Sequence, residues 1–222
     1  MVVAAGRGER LGSPHPKAFA KLGGRPLLAE SLERLDHSDW IEGLVVVVPV
    51  DWEEPAILLA EEVGAGKVTL AVPGGETRSD SVRAGLAEVP EEAAVVLVHD
   101  AARPLVDEAI VERVVLGLED GWDGAVPAMP VPDTLKRADG EEVVETVDRT
   151  GLVAVQTPQA FVAATLRRAL AADGSDSDCA GSVERAGGRV RLVPGDPRLV
   201  KVTSDADLAL VEALLGDDRG DE

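Results

Sequence analysis

The chain has 222 residues, enough for one sizeable domain and too few to demand two. Hydrophobic residues make up 45% of it, which excludes disorder for most of its length, while aromatics reach only 2% and Tyr is absent, so the core must be built from Val, Leu, Ala and Ile. A formal charge of −19 argues against a nucleic-acid partner or an anionic membrane surface and reads as a solvating, salt-tolerant exterior.

Short apolar runs alternate with helical patterns from the start of the chain. Residues 2–5, 44–50, 68–72, 94–98 and 125–128 are continuous rather than alternating in hydrophobicity, as strands become when both faces of a parallel sheet are covered. The first run begins at Met1 itself, so either the true start lies upstream or this strand is short. Residues 26–35, 53–63, 79–88 and 107–118 read as the intervening helices, with Pro26 suited to a first helical position. Such alternation predicts an α/β fold with right-handed crossovers.

The pattern then changes. Residues 133–149 are polar, carry the turn sequence Asp139-Gly140 and have β-prone stretches on either side, which predicts a hairpin leaving the main sheet. Helical patterns return at 161–172, 179–186 and 205–215, with strand candidates at 189–193 and 200–202 between them. The charged tail 216–222 is expected to fray.

Cys179 is the single cysteine, which rules out an intrachain disulfide. No basic segment followed by an apolar run opens the chain, and no run approaches the ~20 residues needed to span a bilayer. A soluble, cytoplasmic protein is the resulting expectation.

Three segments carry chemistry. The first strand runs into Ala4-Ala5-Gly6-Arg7-Gly8-Glu9-Arg10-Leu11-Gly12, with Pro16-Lys17 beyond. A glycine-rich turn at the carboxyl end of a first strand is where open α/β sheets bind ligands, and glycines let backbone N–H groups approach a phosphate. The dinucleotide fingerprint requires Gly where Leu11 stands, and a Walker loop is absent, so a nicotinamide oxidoreductase is disfavoured. The plainer alternative is a surface turn with stray charges.

The second segment, Gly74-Gly75-Glu76-Thr77-Arg78-Ser79-Asp80-Ser81, follows a strand and opens a helix. Free N–H groups there can bind an anion or read a base edge; ordinary capping by Ser79 or Asp80 needs no ligand. The third, Val98-His99-Asp100-Ala101-Ala102-Arg103-Pro104, sets a carboxylate and an arginine at a strand's carboxyl end. That suits ribose, metal or substrate-phosphate contacts, and equally a local ion pair.

Taken in order and spacing, AAGRGERLG…PKAF, GGETRSDSV, VHDAARP, PVPDTLKR, TVDRTGL, TPQ and KVT resemble the 2-C-methyl-D-erythritol 4-phosphate cytidylyltransferase family, from about residue 2 to about residue 215. The resemblance implies a single nucleotidyltransferase domain over 1–222 with a Rossmann-like, mostly parallel sheet flanked by helices. It also implies a protruding β-hairpin arm at 133–149 that joins two copies into a homodimer. It implies transfer of CMP from CTP to methylerythritol phosphate in non-mevalonate isoprenoid precursor synthesis, with Mg²⁺ held mainly by the CTP phosphates and Asp100 as an outer contact. No residue is assigned as a direct metal ligand. Cytidylyl transfer to another polyol phosphate, such as ribitol 5-phosphate, is the close alternative.

Residue by residue, Ala4, Ala5, Gly6, Arg7 and Gly8 look like the loop around the CTP phosphates. Arg10 and Lys17 match two basic catalytic positions, and Lys201 a third near the triphosphate. Gly75 and Ser81 fall where the family reads cytosine. Asp100, Ala101 and Arg103 match the motif between the nucleotide ribose and the second substrate. Thr134 and Arg149 match arm positions that grip that substrate's phosphate across the dimer. Retention of Arg10, Lys17 and Lys201 together argues against a non-catalytic binding subunit on the same fold.

The chain departs from the family in two places. Ala4 replaces the usual Pro, and Ser177-Asp178-Cys179 replaces Thr-Asp-Glu, which removes a carboxylate at Cys179. With no His beside it, Cys179 reads as a buried filler rather than a nucleophile. His15 and His37 read as surface residues, and Lys21 with Arg25 either as a solvated turn or as part of the basic cluster.

Overall fold

A computed structural model describes residues 1–6, 8, 15–171 and 178–220. Chain order begins with β1 (Val2–Val3), β2 (Lys21–Leu22), β3 (Arg25–Pro26), α1 (Leu27–Asp36), β4 (Leu44–Val48) and α2 (Glu53–Glu62). It continues with β5 (Val68–Pro73), α3 (Arg78–Ala87), β6 (Val95–Asp100), α4 (Glu108–Leu116) and β7 (Gly124–Pro130). After these come β8 (Leu135–Asp139), β9 (Glu142–Val147), β10 (Val153–Val155), β11 (Gln159–Val162), α5 (Ala163–Ala171), α6 (Cys179–Arg185), β12 (Val190–Pro194) and α7 (Asp205–Gly220).

The main sheet runs β10-β7-β11-β6-β1-β4-β5, with β12 on the other side of β7. Strands β6, β1, β4 and β5 are mutually parallel, as is β12 with β7; β10 and β11 run antiparallel to β7. The chain lays down β1, β4 and β5 in one direction, then returns to place β6 on the far side of β1. Between β1 and β6, therefore, lies the point where strand order reverses, the preferred ligand crevice of an open α/β sheet.

Strand β4 shows why the sheet sits in the middle. Its five residues are all buried, with Val46 and Val48 facing α1, α2 and α4 while Val45 and Val47 face α3 and α5. Both faces need aliphatic side chains, so the sequence cannot alternate. Helix α1 buries Leu28, Leu32 and Leu35, an i, i+4, i+7 stripe, against the first face. Truncating Leu32, which has no exposed surface, should cost 2–5 kcal/mol by the usual range for such cavities, roughly. Glu30, buried on the same helix, is neutralised by Arg34 at 2.8 Å and Arg25 at 3.8 Å.

Several boundaries differ from the sequence expectation. The first strand is only two residues long, and α1 begins after Pro26, which itself ends β3. Residues 161–162 end β11 rather than opening the helix expected at 161–172, because Phe161 fills the interior under Gly124 between β6 and β7. No strand forms at 200–202; the Val202 N–H is held by the Ala102 carbonyl at 2.8 Å. The tail continues α7 as helix to Gly220.

The hairpin lies where the turn sequence places it. Among the described residues strands β8 and β9 pair only with each other, closing through Gly140 at φ +56°. Val143 and Val144 on β9 are 59% and 60% exposed, so the hairpin does not contribute them to the core of this chain. Among the described residues no helix is long and apolar enough to cross a membrane.

Candidate active site

Two cavities meet at the carboxyl edge of the sheet. The first, about 590 Å³, opens over the ends of β1, β5 and β6 and is lined by Ala4, Ala5, Gly6, Lys17, Gly75, Ser81, Asp100, Ala101 and Lys201, among others. The second, about 470 Å³, lies over β7, β10 and α6 and includes Arg103, Thr157, Gln159 and Asp178. Arg78, Asp100 and Lys201 line both and form their common wall.

The glycine-rich turn is shaped by close approach. Gly8 adopts φ +71°, and a Cβ there would stand 2.9 Å from the Lys17 Cβ. The Lys17 N–H returns to the Gly6 carbonyl at 3.2 Å, so the turn at residues 17–19 closes back on the loop and delivers Lys17 to the first cavity. Arg7 and Arg10, assigned to this loop from the sequence, lie outside the described residues.

The second glycine motif is fixed from within. A Cβ on Gly75 would meet the Asp80 Cβ at 2.3 Å, so only glycine fits beneath the helix start. Thr77 caps α3 in a reciprocal box: its Oγ1 accepts the Asp80 N–H at 3.1 Å and its own N–H is accepted by Asp80 Oδ2 at 3.1 Å. The cap is thus Thr77, correcting the expectation of Ser79 or Asp80; Asp80 is the third residue of the box. Ser81 Oγ accepts the Gly75 N–H at 3.2 Å and donates to the Thr77 carbonyl at 3.0 Å. Ser81 therefore sets the shape of the loop that rims the cavity.

Asp100 ends β6 at the switch point. Its Oδ1 accepts Arg78 Nε at 3.2 Å and Nη2 at 2.9 Å; its Oδ2 accepts Lys201 Nζ at 2.6 Å. Burial alone would raise the carboxyl, but the Arg78 and Lys201 charges outweigh it and hold the group well below the usual carboxylate range. Lys201 is brought there by its neighbour. Val202 is fully buried among Leu22, Leu27, Leu105 and Val211, and Asp207 gathers the Thr203 and Ser204 N–H groups at 2.8 Å each.

Behind Asp100, His99 Nε2 is 3.1 Å from the Arg103 carbonyl, so that nitrogen carries the proton. The other ring nitrogen then accepts the Thr157 hydroxyl at 3.3 Å, and Thr157 Oγ1 accepts the Asp100 N–H at 3.0 Å. Burial pushes the His99 pKa down to about 4, which keeps the ring neutral in this relay. Arg103 donates to the carbonyl of Leu199 while its Nε is buried with no partner among the described residues; burial lowers its pKa. Cys179 is buried, its thiol pushed up to about 11 by that burial, and its Sγ receives Arg78 Nη1 at 3.7 Å. That makes it a neutral packing and hydrogen-bonding group.

The fold thus assembles Ala4, Ala5, Gly6, Lys17, Gly75, Ser81, Asp100, Ala101 and Lys201 around one cavity and sets Arg103 in the next. It does not bring Thr134 and Arg149 to either cavity of the same chain. Arg149 instead donates to the carbonyls of Val131 and Pro132 at the root of the arm. Arg78, His99, Thr157 and Gln159 had no role assigned from the sequence. Arg78 could have been singled out as the basic residue inside the second glycine motif, opening α3 toward the sheet edge.

Glycine-shaped loops and paired cations at the switch point of a mostly parallel sheet define a nucleotide-handling α/β protein. The family model for 2-C-methyl-D-erythritol 4-phosphate cytidylyltransferase (IspD) matches residues 1–217. A protein of that name from Nocardia farcinica is 47% identical over 216 residues, covering 97% of this chain and 92% of its own. One from Saccharopolyspora erythraea is 46% identical over 220 residues, covering 97% of both. The crystal structure of the Thermus thermophilus protein of that name superposes with a TM-score of 0.78 at 35% identity, covering 96% of each chain. The chain belongs to the 2-C-methyl-D-erythritol 4-phosphate cytidylyltransferase family.

Proposed function

We propose that this chain converts CTP and 2-C-methyl-D-erythritol 4-phosphate into 4-diphosphocytidyl-2-C-methyl-D-erythritol and pyrophosphate, a step of non-mevalonate isoprenoid precursor synthesis. The observation that carries the reading is the Asp100 carboxylate set between two adjoining cavities, with one cation on each oxygen. A nucleotide in the first cavity and a polyol phosphate in the second would meet at that wall.

A phosphate oxygen of the second substrate attacks the α-phosphorus of CTP, a new P–O bond forms, and the bond to the β-phosphate oxygen breaks with pyrophosphate leaving. The attacking phosphate ionises with a second pKa of about 6, so no general base is required. What the protein must supply is alignment and positive charge between two anions. Lys17 and Lys201, with Arg10 from the same loop as Lys17, take that role, each worth ~3 kcal/mol by analogy with single-donor removals. The backbone around Gly75, shaped by Ser81, reads the base edge, and Asp100 and Arg103 orient the polyol.

Mg²⁺ fits this reading as a companion of the triphosphate. It would be held mainly by phosphate oxygens and water, with the Asp100 carboxylate, which lines both cavities, as an outer contact. When bound, it supplies charge neutralisation to the leaving pyrophosphate.

The reading includes a homodimer, with Thr134 and Arg149 of each arm reaching the second cavity of the other copy, and a cytoplasmic location. The exposed Val143 and Val144 and the placement of Arg149 away from its own cavities support the exchange of arms. The second substrate is tested by supplying CTP with either methylerythritol phosphate or ribitol 5-phosphate. Turnover with the first and little with the second is expected; equal turnover would contradict the choice.

A further inference from the structure

The two oxygens of Asp100 are claimed by cations of different freedom. Arg78 places Nε and Nη2 together on Oδ1, sends Nη1 to Cys179 Sγ at 3.7 Å, and has a side chain 24% exposed. Lys201 holds Oδ2 by one ammonium on a flexible stem, and its side chain is 41% exposed. Asp100 itself is 7% exposed. A carboxylate so buried is strongly disfavoured once its charge partner leaves.

That imbalance has a consequence for a triphosphate entering the first cavity. Lys201 is the more mobile cation, a compact ammonium suited to a phosphate as a point charge. If it were the sole partner of Asp100, its departure would strand a buried charge and binding would be opposed. With Arg78 fixed in the wall, Asp100 stays neutralised on Oδ1 when Oδ2 is vacated. The Cys179 thiol, kept protonated by burial, adds no competing negative charge, so the whole guanidinium charge remains with Asp100.

We propose that Arg78 is a positioning residue that retains Asp100 while Lys201 passes from the Asp100 carboxylate to the incoming triphosphate, a hand-over of one cation between two anions. The inference rests on reading the first cavity as the nucleotide site. Arg78 acts through Asp100 and Lys201 and touches neither reacting atom.

The test is a double-mutant cycle on the full chain, using Arg78→Gln, Lys201→Met and the combination, with pyrophosphate release from CTP and methylerythritol phosphate as the readout. Arg78→Gln should lower kcat/KM for CTP by ~30-fold and Lys201→Met by ~100-fold, with the double variant no more than ~3-fold below the poorer single. Without Arg78, Lys201 remains bound to Asp100, so removing it then costs little more. Arg78→Lys should recover roughly tenfold of the loss by restoring a charge on Oδ1. Losses that multiply in the double variant, or an Arg78→Gln enzyme within about twofold of wild type, would overturn the hand-over. Should Arg78→Gln fail to unfold cooperatively on heating, the same cycle with Arg78→Met, which likewise removes the charge on Oδ1, decides by the same criterion. Absence of CTP-dependent pyrophosphate release in the wild-type chain would instead remove the functional reading beneath it.

Discussion

Ser81 Oγ accepts the backbone N–H of Gly75 at 3.2 Å, tying the start of α3 to the loop that rims the first cavity. Because the same hydroxyl donates to Thr77, both of its ordinary bonding roles are spent on loop shape. Ser81→Ala should therefore loosen the loop rather than delete a direct contact. KM for CTP should rise roughly tenfold with KM for the polyol phosphate unchanged, and stability should fall by about 1 kcal/mol. Initial-rate kinetics in both substrates and urea unfolding check the two halves separately. A rise in both KM values alike would show that the loop does not serve the nucleotide alone.

Lys17 and Arg149 should separate in kinetics. Lys17 lines the first cavity; on the proposed reading charge grows there as pyrophosphate departs, so Lys17→Ala should lower kcat by ~100-fold or more. Arg149, in the arm, should act on ground-state capture of the second substrate, and Arg149→Ala should raise its KM with kcat largely kept. Lys17→Arg should not rescue fully, since a planar guanidinium does not fill a compact ammonium site. Steady-state rates of the three variants decide it, and a Lys17→Ala enzyme with intact kcat would make Lys17 a simple binding contact.

If arms are exchanged, Lys17→Ala and Arg149→Ala protomers should complement one another. A mixed dimer has one site with both residues intact, so at methylerythritol phosphate well below the raised KM of Arg149→Ala, where both parents are slow, dissociating and reassociating a 1:1 mixture should restore roughly a quarter of wild-type activity. No recovery, with mixed dimers shown to form, would place Arg149 in its own protomer's site.

The buried relay through His99 predicts a pH dependence of stability. Its folded pKa, about 4, lies below the unfolded value near 6.5, so the unfolded chain binds more protons in between. Stability from the neutral ring is thus fully present above about pH 6.5 and is lost as pH falls toward 4, by up to ~3 kcal/mol. The gap in unfolding free energy between pH 7.5 and pH 5 should narrow in His99→Gln. An unchanged gap would show that His99 is already charged or solvated in the folded state.

Much of the sheet was legible because its strands are covered on both faces. Continuous runs such as that of β4 announce a buried parallel strand, and Asp139-Gly140 between β-prone stretches announces the arm. Strand β11 was misread because Phe161 merges with the apolar periodicity of α5, and only the tertiary pairing with β6 and β7 separates them. The site was legible where glycines crowd a loop or a charge ends a strand. Arg78 and Thr157 were not, because each gains meaning only from Asp100, 22 and 57 residues away in sequence.

The central claim is cytidylyl transfer, and pyrophosphate release across a panel of CTP, UTP, GTP and ATP with methylerythritol phosphate tests it most directly. A site built to pair with one base edge rejects bases that leave its polar groups unpaired, by factors of up to ~10⁴. Rapid release with CTP, dependent on the second substrate and at least ~100-fold slower with UTP, is the predicted result. Comparable release with CTP and UTP, or release from CTP that ignores methylerythritol phosphate, would contradict it.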